Sequence, residues 1–352
     1  MINRRVLYIG WVGFGNHGDD ICRDVFMQRF GAAVRQCGID LDVIALYPSR
    51  FDEFTLARIN PDLVVLGAGS LFELVYLRPL SLAQQAGIPT AIWGSGYDST
   101  AEEPEIPHDL AYAIRQVVAE SQVVGVRGPY TVRALESVGA VREDLLVTGD
   151  PGLLWSPDPL DTLEPGSGSV PQLAVNWGTA YNNVLGKNEQ RVAAALAEVL
   201  RDAAANFRLL LYPMWHRDIE PCLALANSIG WPDRVRVMTE VPSPQELQKI
   251  YRLSLFSINM KLHASIFSAA LGCPFISLAY RWKCMDFAES VACGDLAIPF
   301  GDPHLAERLR AAIDRITADP AEHRDHLTEQ ISAARLRLAE LEQRMVEILS
   351  TT

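Results

Sequence analysis

"YIGWVGFGNHGDDICRDVF", residues 8–26, carries a G-x-G-x-x-G built from Gly13, Gly15 and Gly18. The apolar run 6–10 before it reads as a strand, and 21–37 after it reads as a helix. A strand, a glycine-rich turn and a helix are the setting of a dinucleotide-binding unit. Two features oppose that ligand. The glycines lead straight into Asp19 and Asp20, where the amides of a helix start would otherwise meet an anion; two carboxylates there repel a pyrophosphate. The second strand, 41–46, runs on through Tyr47 into Pro48, Ser49 and Arg50, with no acid at its tip to hold a ribose. The stretch therefore opens an α/β unit and does not mark a nicotinamide or flavin enzyme. Asp19 reads either as a helix N-cap or as a functional group, and since one acid suffices as a cap, one of the pair Asp19 and Asp20 is left to hydrogen-bond an acceptor hydroxyl.

Outward from this stretch, short apolar runs alternate with helical patterns. Candidate strands are 6–10, 41–46, 63–66, 90–93, 122–126 and 145–147, with helices such as 21–37 and 110–120 between them. Such alternation implies parallel strands joined by crossover helices. From 151 to 171 Pro, Gly and Ser crowd together and the periodicity fails, which reads as an interdomain linker. The alternation then restarts, with strands at 172–176, 207–212, 235–238, 255–258 and 275–278, and helices at 188–204 and 219–229. Residues 321–349 read as one long amphipathic helix with Leu336, Leu338 and Leu341 on it. The organisation is an N-terminal Rossmann-like domain at 1–155, a linker at 156–171, a C-terminal Rossmann-like domain at 172–320 and a terminal helix at 321–352. Two Rossmann-like domains facing a cleft form the layout of GT-B enzymes.

Of the 352 residues, 49% are hydrophobic and 21% charged, the composition of a globular protein with a sizeable core. The net charge of −12 opposes a general nucleic-acid binder, which needs a basic face. It leaves room for an anionic small molecule, since a few local cations suffice. The six cysteines form no C-x-x-C pair, and they read as reduced, mostly buried residues. No metal-ligand cluster stands out. No apolar run reaches membrane-spanning length, and the N-terminus lacks a signal-peptide core. The expected location is cytoplasmic.

"GNHGDD" (15–20), "GAGSLF" (67–72), "VRGPYT" (126–131), "TGDPGLL" (148–154) and "MKLHASIFSAALGCPFISLAYRWK" (260–283) follow one another in that order. Together they resemble the polysaccharide pyruvyl transferase family over nearly the whole chain. The resemblance implies a GT-B-like fold and transfer of pyruvate from phosphoenolpyruvate to a sugar diol, closing a cyclic ketal. The acceptors it implies are saccharides of cell-wall or exopolysaccharide precursors, free or lipid-linked; a lipid-linked acceptor would bring the protein to a membrane surface. No cofactor is implied beyond phosphoenolpyruvate as co-substrate. The family's Arg-Leu-His, associated with phosphoenolpyruvate, falls on Lys261, Leu262 and His263, and its first-domain arginine on Arg127. Its Y-x-x-K falls on Tyr280 and Lys283. Lysine in place of the arginine keeps the charge but loses the planar fork that grips a carboxylate or phosphate in two bonds. The usual glycine triplet is Gly-Ala-Gly here, and Gly128 stands where an acid often follows the arginine.

The residues fit such chemistry. Phosphoenolpyruvate needs cations and amide donors, a proton for C3 and a base for the attacking hydroxyl. Residues 260–263 read as a helix start after the strand 255–258, which offers backbone amides to an anion, and Lys261 adds charge. His263, as an imidazole, can shuttle a proton near neutrality. Arg127 ends a first-domain strand, at the edge where α/β proteins place ligands. Asn16, Asp19 and Ser70 border the same edge, and His216, Arg217 and Lys283 follow strands of the second domain. Each also has a plain structural reading: a helix-start histidine or lysine, an arginine paired with an acid near a turn, a capping serine. His323 and His326 read as surface residues. Two other functions fit the same fold. One is a nucleotide-sugar glycosyltransferase, for which Glu240 or Glu246 would hold a ribose; the other is a non-catalytic homologue.

Overall fold

A computed structural model describes residues 2–99, 105–157, 170–179 and 186–351 of the chain. Most of the stretch read as a linker, 158–169, lies outside the described residues. The chain divides into two compact units: Met1–Trp155 with Ser332–Thr352, and Ser156–Ile331.

In the first unit the elements run β1 (Ile2–Ile9), α1 (His17–Gln36), β2 (Ile39–Leu46), α2 (Glu53–Ile59), β3 (Leu63–Leu66), α3 (Leu74–Gln85), β4 (Thr90–Ser95), α4 (His108–Glu120), β5 (Val123–Val126), α5 (Pro129–Ser137) and β6 (Leu146–Val147). The six strands form one sheet in the order β2-β1-β3-β4-β5-β6, and their pairings are parallel. All four residues of β3 and all four of β5 are buried. Helices cover both faces of such a sheet, so its inner strands are continuous apolar runs rather than alternating ones.

The second unit runs β7 (Gln172–Asn176), α6 (Gly186–Ala203), β8 (Arg208–Tyr212), α7 (Ile219–Ile229), β9 (Val235–Val237), α8 (Pro244–Leu253), β10 (Ser254–Asn259), α9 (Leu262–Ala270), β11 (Phe275–Ala279), α10 (Trp282–Ser290), β12 (Ala297–Pro299) and α11 (Leu305–Ala318), followed by the start of α12 (Pro320–Thr351). Its sheet has the order β12-β11-β10-β7-β8-β9, again parallel. Renumbered from its own first strand, that is the doubly wound order 3-2-1-4-5-6. A single core of Leu, Val, Ile and Phe side chains joins α6, α7 and α11 to the sheet.

Each sheet reverses its winding direction once. In the first unit the reversal falls between β1 and β3, and in the second between β7 and β10. Open α/β sheets hold ligands in the crevice outside the carboxyl ends of the strands at such a point. The loops after β1 and β3 carry "GNHGDD" and "GAGS", and "MKLH" follows β10.

Several elements differ from the sequence reading. Helix α1 starts at His17, and its N-cap is Asn16, whose side-chain oxygen accepts from the Gly18 amide at 3.3 Å. Asp19 and Asp20 are therefore first-turn acids favoured by the helix dipole, not caps. Helix α9 starts at Leu262 with Lys261 as its N-cap. Strand β12 is an addition; three residues ending in a proline give almost no signal, and proline is tolerated at a sheet edge. On α12, Leu338 and Leu341 are buried whereas Leu336 is 72% exposed. Leu338, Leu341, Met345 and Leu349 follow the i+3, i+4 spacing of one helical face, and a residue two positions earlier falls on the opposite side. The C-terminal part of α12 belongs to the first unit. There the Leu341 methyls occupy the space a side chain at Gly125 would fill, and Arg4 and Arg335 donate to the carbonyls of Leu349 and Leu153. Truncating a buried leucine of this kind costs about 2–5 kcal/mol.

Candidate active site

Arg127 lies just past β5 and is completely buried. Its Nη1 is 3.9 Å from Asp150 Oδ2, and both terminal nitrogens are 3.4 Å from Ser70 Oγ. Nη2 also donates to the Tyr97 carbonyl at 3.4 Å. The guanidinium occupies the space that any side chain at Gly96 would fill, so that glycine is needed for the close approach. Asp150 is itself buried, and its Oδ1 accepts from the Gly152 amide at 2.9 Å and lies 4.0 Å from Cys22 Sγ. A buried charge persists only with a partner, and Asp150 supplies it.

Asp19 is buried, with its carboxylate packed against Gly69. Asp19, Ser70 and Arg127 thus line the carboxyl edge of β1, β3 and β5. Asp20 is half-buried and forms an ion pair with Arg23 at 3.1 Å, one helical turn on. Beneath this edge the Tyr8 hydroxyl accepts from the Ala68 amide at 3.1 Å. Burial raises its pKa well above the usual phenol value, and Cys22 and then the nearby carboxylates add to the shift.

In the second unit Lys261 caps α9. Its amide donates to Asn176 Oδ1 at 2.9 Å, and its Nζ lies 3.2 Å from Asp218 Oδ1 and donates to the Thr179 carbonyl. Asn176 ends β7 and Lys261 follows β10, so this contact bridges the two strands between which the sheet reverses. Asp218 is fully buried, and the same Oδ1 accepts from the Thr179 amide at 3.1 Å. Burial pushes its pKa up, with Lys261 and the Thr179 amide pulling the other way. The carboxylate occupies the position a Cβ at Gly178 would take. The Cys222 thiol, next to this pair, donates to the Trp177 carbonyl at 3.0 Å, and burial with the Asp218 charge pushes its pKa up to about 12.

His263 stands in the first turn of α9, half-buried, with its ring stacked on Phe267 at a centroid distance of 5.8 Å. His216 and Arg217 are exposed on the turn after β8, where the Arg217 guanidinium lies 4.9 Å over the Trp215 ring. Lys283, in the first turn of α10, holds its ammonium 5.3 Å from the Tyr280 ring centroid. These residues share one sheet edge, each set against an aromatic ring. Glu246 is taken up by the capping box of α8, where Ser243 and Glu246 satisfy each other's backbone amides. Away from this edge, His323 is half-buried and His326 exposed, and both border a cavity of about 440 Å³ at the amino-terminal end of β11 with Cys293 and Arg315.

Sequence reasoning missed Asp150 and Asp218. Asp150 lies inside the stretch "TGDPGLL", and Asp218 directly follows the candidates His216 and Arg217. Nothing local distinguishes a buried acid there from an ordinary cap; the available signal was a position beyond a strand end, facing an expected cation.

The family model for polysaccharide pyruvyl transferase matches residues 16–281. The chain belongs to the polysaccharide pyruvyl transferase family. The match takes in Asn16, Asp19, Ser70, Arg127, Asp150, Asp218, Lys261 and His263. No curated protein sequence matches the chain. Among solved structures, the Staphylococcus aureus MnaA–UDP co-structure is similar at 14% identity and a TM-score of 0.61, with 94% of this chain and 91% of that one covered. The UDP-GlcNAc 2-epimerase of Neisseria meningitidis bound to UDP-GlcNAc aligns at 10% identity and a TM-score of 0.61, with both chains covered in full. Glycyrrhiza uralensis UGT73P12, complexed with glycyrrhetinic acid 3-O-monoglucuronide, aligns at 11% identity and a TM-score of 0.56 over 100% of this chain and 97% of that one. At such identities the likeness establishes a shared GT-B-type fold. Among the described residues, no helix of this family member is long and apolar enough to cross a membrane.

Proposed function

We propose that the chain transfers pyruvate from phosphoenolpyruvate to two hydroxyls of one saccharide, forming a cyclic ketal and releasing phosphate. A proton added to C3 of the donor creates the methyl group and leaves C2 electrophilic. One hydroxyl oxygen bonds to C2, the C2–O bond to phosphate breaks, and the second hydroxyl closes the ring. Of the two hydroxyl protons, one is matched by the proton taken up at C3 and the other leaves on phosphate, so no oxidant or reductant is needed.

The observation that carries this reading is the K-L-H stretch at the winding reversal of the second sheet, inside the family match. Lys261 there is a cation whose buried counter-charge fixes its place, and His263 follows it in the first helical turn. The roles assigned are proton donor to C3 for His263, binding of the donor's anionic groups for Lys261 and Arg127, and acceptance of the acceptor's proton for Asp20. Asn16, Asp19 and Ser70 are assigned to substrate binding, and His216, Arg217 and Lys283 to further contacts with the phosphate. We place the reaction in the cytoplasm, at the membrane surface where the acceptor is lipid-linked.

The test is thermal stabilisation of wild type and His263→Ala by phosphoenolpyruvate, beside UDP-sugars and NAD(P). A ligand that binds only the folded state raises the apparent melting temperature by mass action. The expected result is a shift with phosphoenolpyruvate that shrinks in the variant. A shift with a UDP-sugar and none with phosphoenolpyruvate would replace the pyruvyl donor by a nucleotide sugar.

A further inference from the structure

Four aromatic side chains meet on the loops that border the first unit's winding reversal. Trp11 and Phe14, on the β1–α1 loop, are stacked with ring centroids 4.2 Å apart and planes 22° from parallel. Tyr47, just past β2, sets its ring edge-on to both, at 5.2 Å from Trp11 and 5.1 Å from Phe14. Tyr76, buried in the first turn of α3, supports Tyr47 from behind at 5.8 Å. Phe14 is 48% exposed, and Trp11 and Tyr47 are half-buried. Gly13 at φ +90° and Gly15 at φ +67° flank Phe14, and both face open space. The loop thus holds a large ring against solvent rather than turning it into the core.

The polar groups on the adjoining loop and helix start are an amide, an imidazole (His17) and carboxylates, with Asp20 paired to Arg23. Asn16, Asp19 and Asp20 follow Phe14 on the same loop and helix start, and Glu73 is exposed beside α3. Tyr76 joins the two features: burial raises its phenol pKa, and the charges of Glu73 and Asp19 raise it further, which places both acids close to the aromatic group.

We infer that the stacked Trp11–Phe14 platform, braced by Tyr47 and with Asn16, Asp19 and Glu73 on the adjoining elements, is a subsite for an uncharged hexopyranose, the acceptor saccharide. This rests on the pyruvyl-transfer reading for the word acceptor, but not for the binding itself. A pyranose has one face of C–H groups that lies flat on an aromatic ring, and a rim of hydroxyls that donate to carboxylates. Aromatic surface with a few placed polar groups is the composition of a small-molecule site. The carboxylates of Asp19 and Glu73 near Tyr76, on a chain of net charge −12, oppose the other occupant an exposed aromatic patch suggests, a phospholipid surface, because they repel anionic headgroups.

The test is saturation-transfer difference NMR on methyl β-galactoside, methyl β-glucoside and N-acetylmannosamine, with wild type, Phe14→Leu and Trp11→Leu. Leucine keeps apolar bulk and removes the flat face, and the half-exposed Phe14 can be replaced without opening the core. The expected result is saturation of C–H protons on one sugar face by at least one panel member. Affinity should fall by about tenfold in Phe14→Leu, the ratio produced by roughly 1.4 kcal/mol of ring contact. The phosphoenolpyruvate thermal shift should be unchanged. The inference is overturned if no sugar of the panel is saturated, if both leucine variants bind as wild type does, or if wild type instead co-sediments with anionic phospholipid vesicles through Phe14. Face-selective sugar binding without any phosphoenolpyruvate shift would retain the subsite and remove the pyruvyl reading. A phosphoenolpyruvate shift with sugar binding indifferent to Phe14 and Trp11 would do the reverse.

Discussion

Lys261→Met leaves the buried Asp218 carboxylate without its cation, and the cost should depend on pH in a definite direction. Removing one partner of a buried pair costs about 3–5 kcal/mol. Here the lower end, about 3 kcal/mol, is expected near pH 7, because 18% of the Lys261 side chain is exposed and the Thr179 amide still donates to the carboxylate. Asp218 has an escape: it can bind a proton. Its folded-state pKa is already raised by burial, with Lys261 holding it down, so losing the lysine raises it further. When the folded pKa lies above the unfolded one, the folded protein keeps a proton that the unfolded chain has lost. The contribution to stability is complete below the unfolded pKa and is lost as pH rises through the folded pKa. In Lys261→Met that loss extends to higher pH than in wild type. The stability gap between the two proteins should therefore widen with pH by up to about 1.4 kcal/mol per unit, beginning at the wild-type pKa of Asp218. Urea denaturation of both proteins from about pH 5 to about pH 8 measures this linkage. Adding Asp218→Asn to the variant removes the titrating group, and the gap should then become flat with pH. A gap that stays constant across the range in the single variant would refute the reasoning, because it would mean that Lys261 does not hold a buried carboxylate.

Gly178→Ala places a methyl group where the Asp218 carboxylate lies; we expect a loss of about 1–3 kcal/mol from overpacking, relieved when Asp218→Ala is added, as read by the same denaturation series. Cys37 is exposed and the other five cysteines are buried, so a thiol reagent should modify one cysteine in the native protein and all six in urea. Rapid native modification of a second thiol would contradict the burial assigned to Cys222 and its neighbours.

The strands were legible because parallel strands covered on both faces are plain apolar runs. The runs 63–66 and 172–176 coincide with β3 and β7 to the residue. Helix starts were less legible because capping depends on one side-chain geometry. Asn16, His17 and Gly18 look like loop, yet the Asn16 oxygen on the Gly18 amide begins the helix three residues before the acid that had been read as its cap. Strand β12 is short enough that its pairing with β11, not its own sequence, makes it a strand.

The site itself divides along the same line. Residues bearing an obvious chemical label, Lys261, His263, Arg127 and Ser70, can be picked from motifs. The acids that fix them cannot, because a carboxylate is made special by what is distant in sequence. Asp150 becomes a counter-ion only when β6 is laid beside β5 and brings it to Arg127. Asp218 becomes one only when β7 lies between β8 and β10, so that the turns after all three strands come together. Strand order in a parallel sheet is set by which crossover helices pack on which face, a long-range outcome that alternating strands and helices do not encode. The same strand–helix alternation gives 2-1-3-4-5-6 in one unit and 3-2-1-4-5-6 in the other. In the second unit the cation–acid pair lies beside the reversal, on the turns after β8 and β10, whereas in the first it lies two strands away from the reversal, after β5 and β6. Substituting the acids is therefore the sharper experiment on either site. Loss of a cation removes the group proposed to bind the anionic donor and also leaves a buried carboxylate without its partner, two effects that one variant cannot separate, whereas loss of Asp150 or Asp218 keeps the cation and frees it from the position that the fold imposes on it.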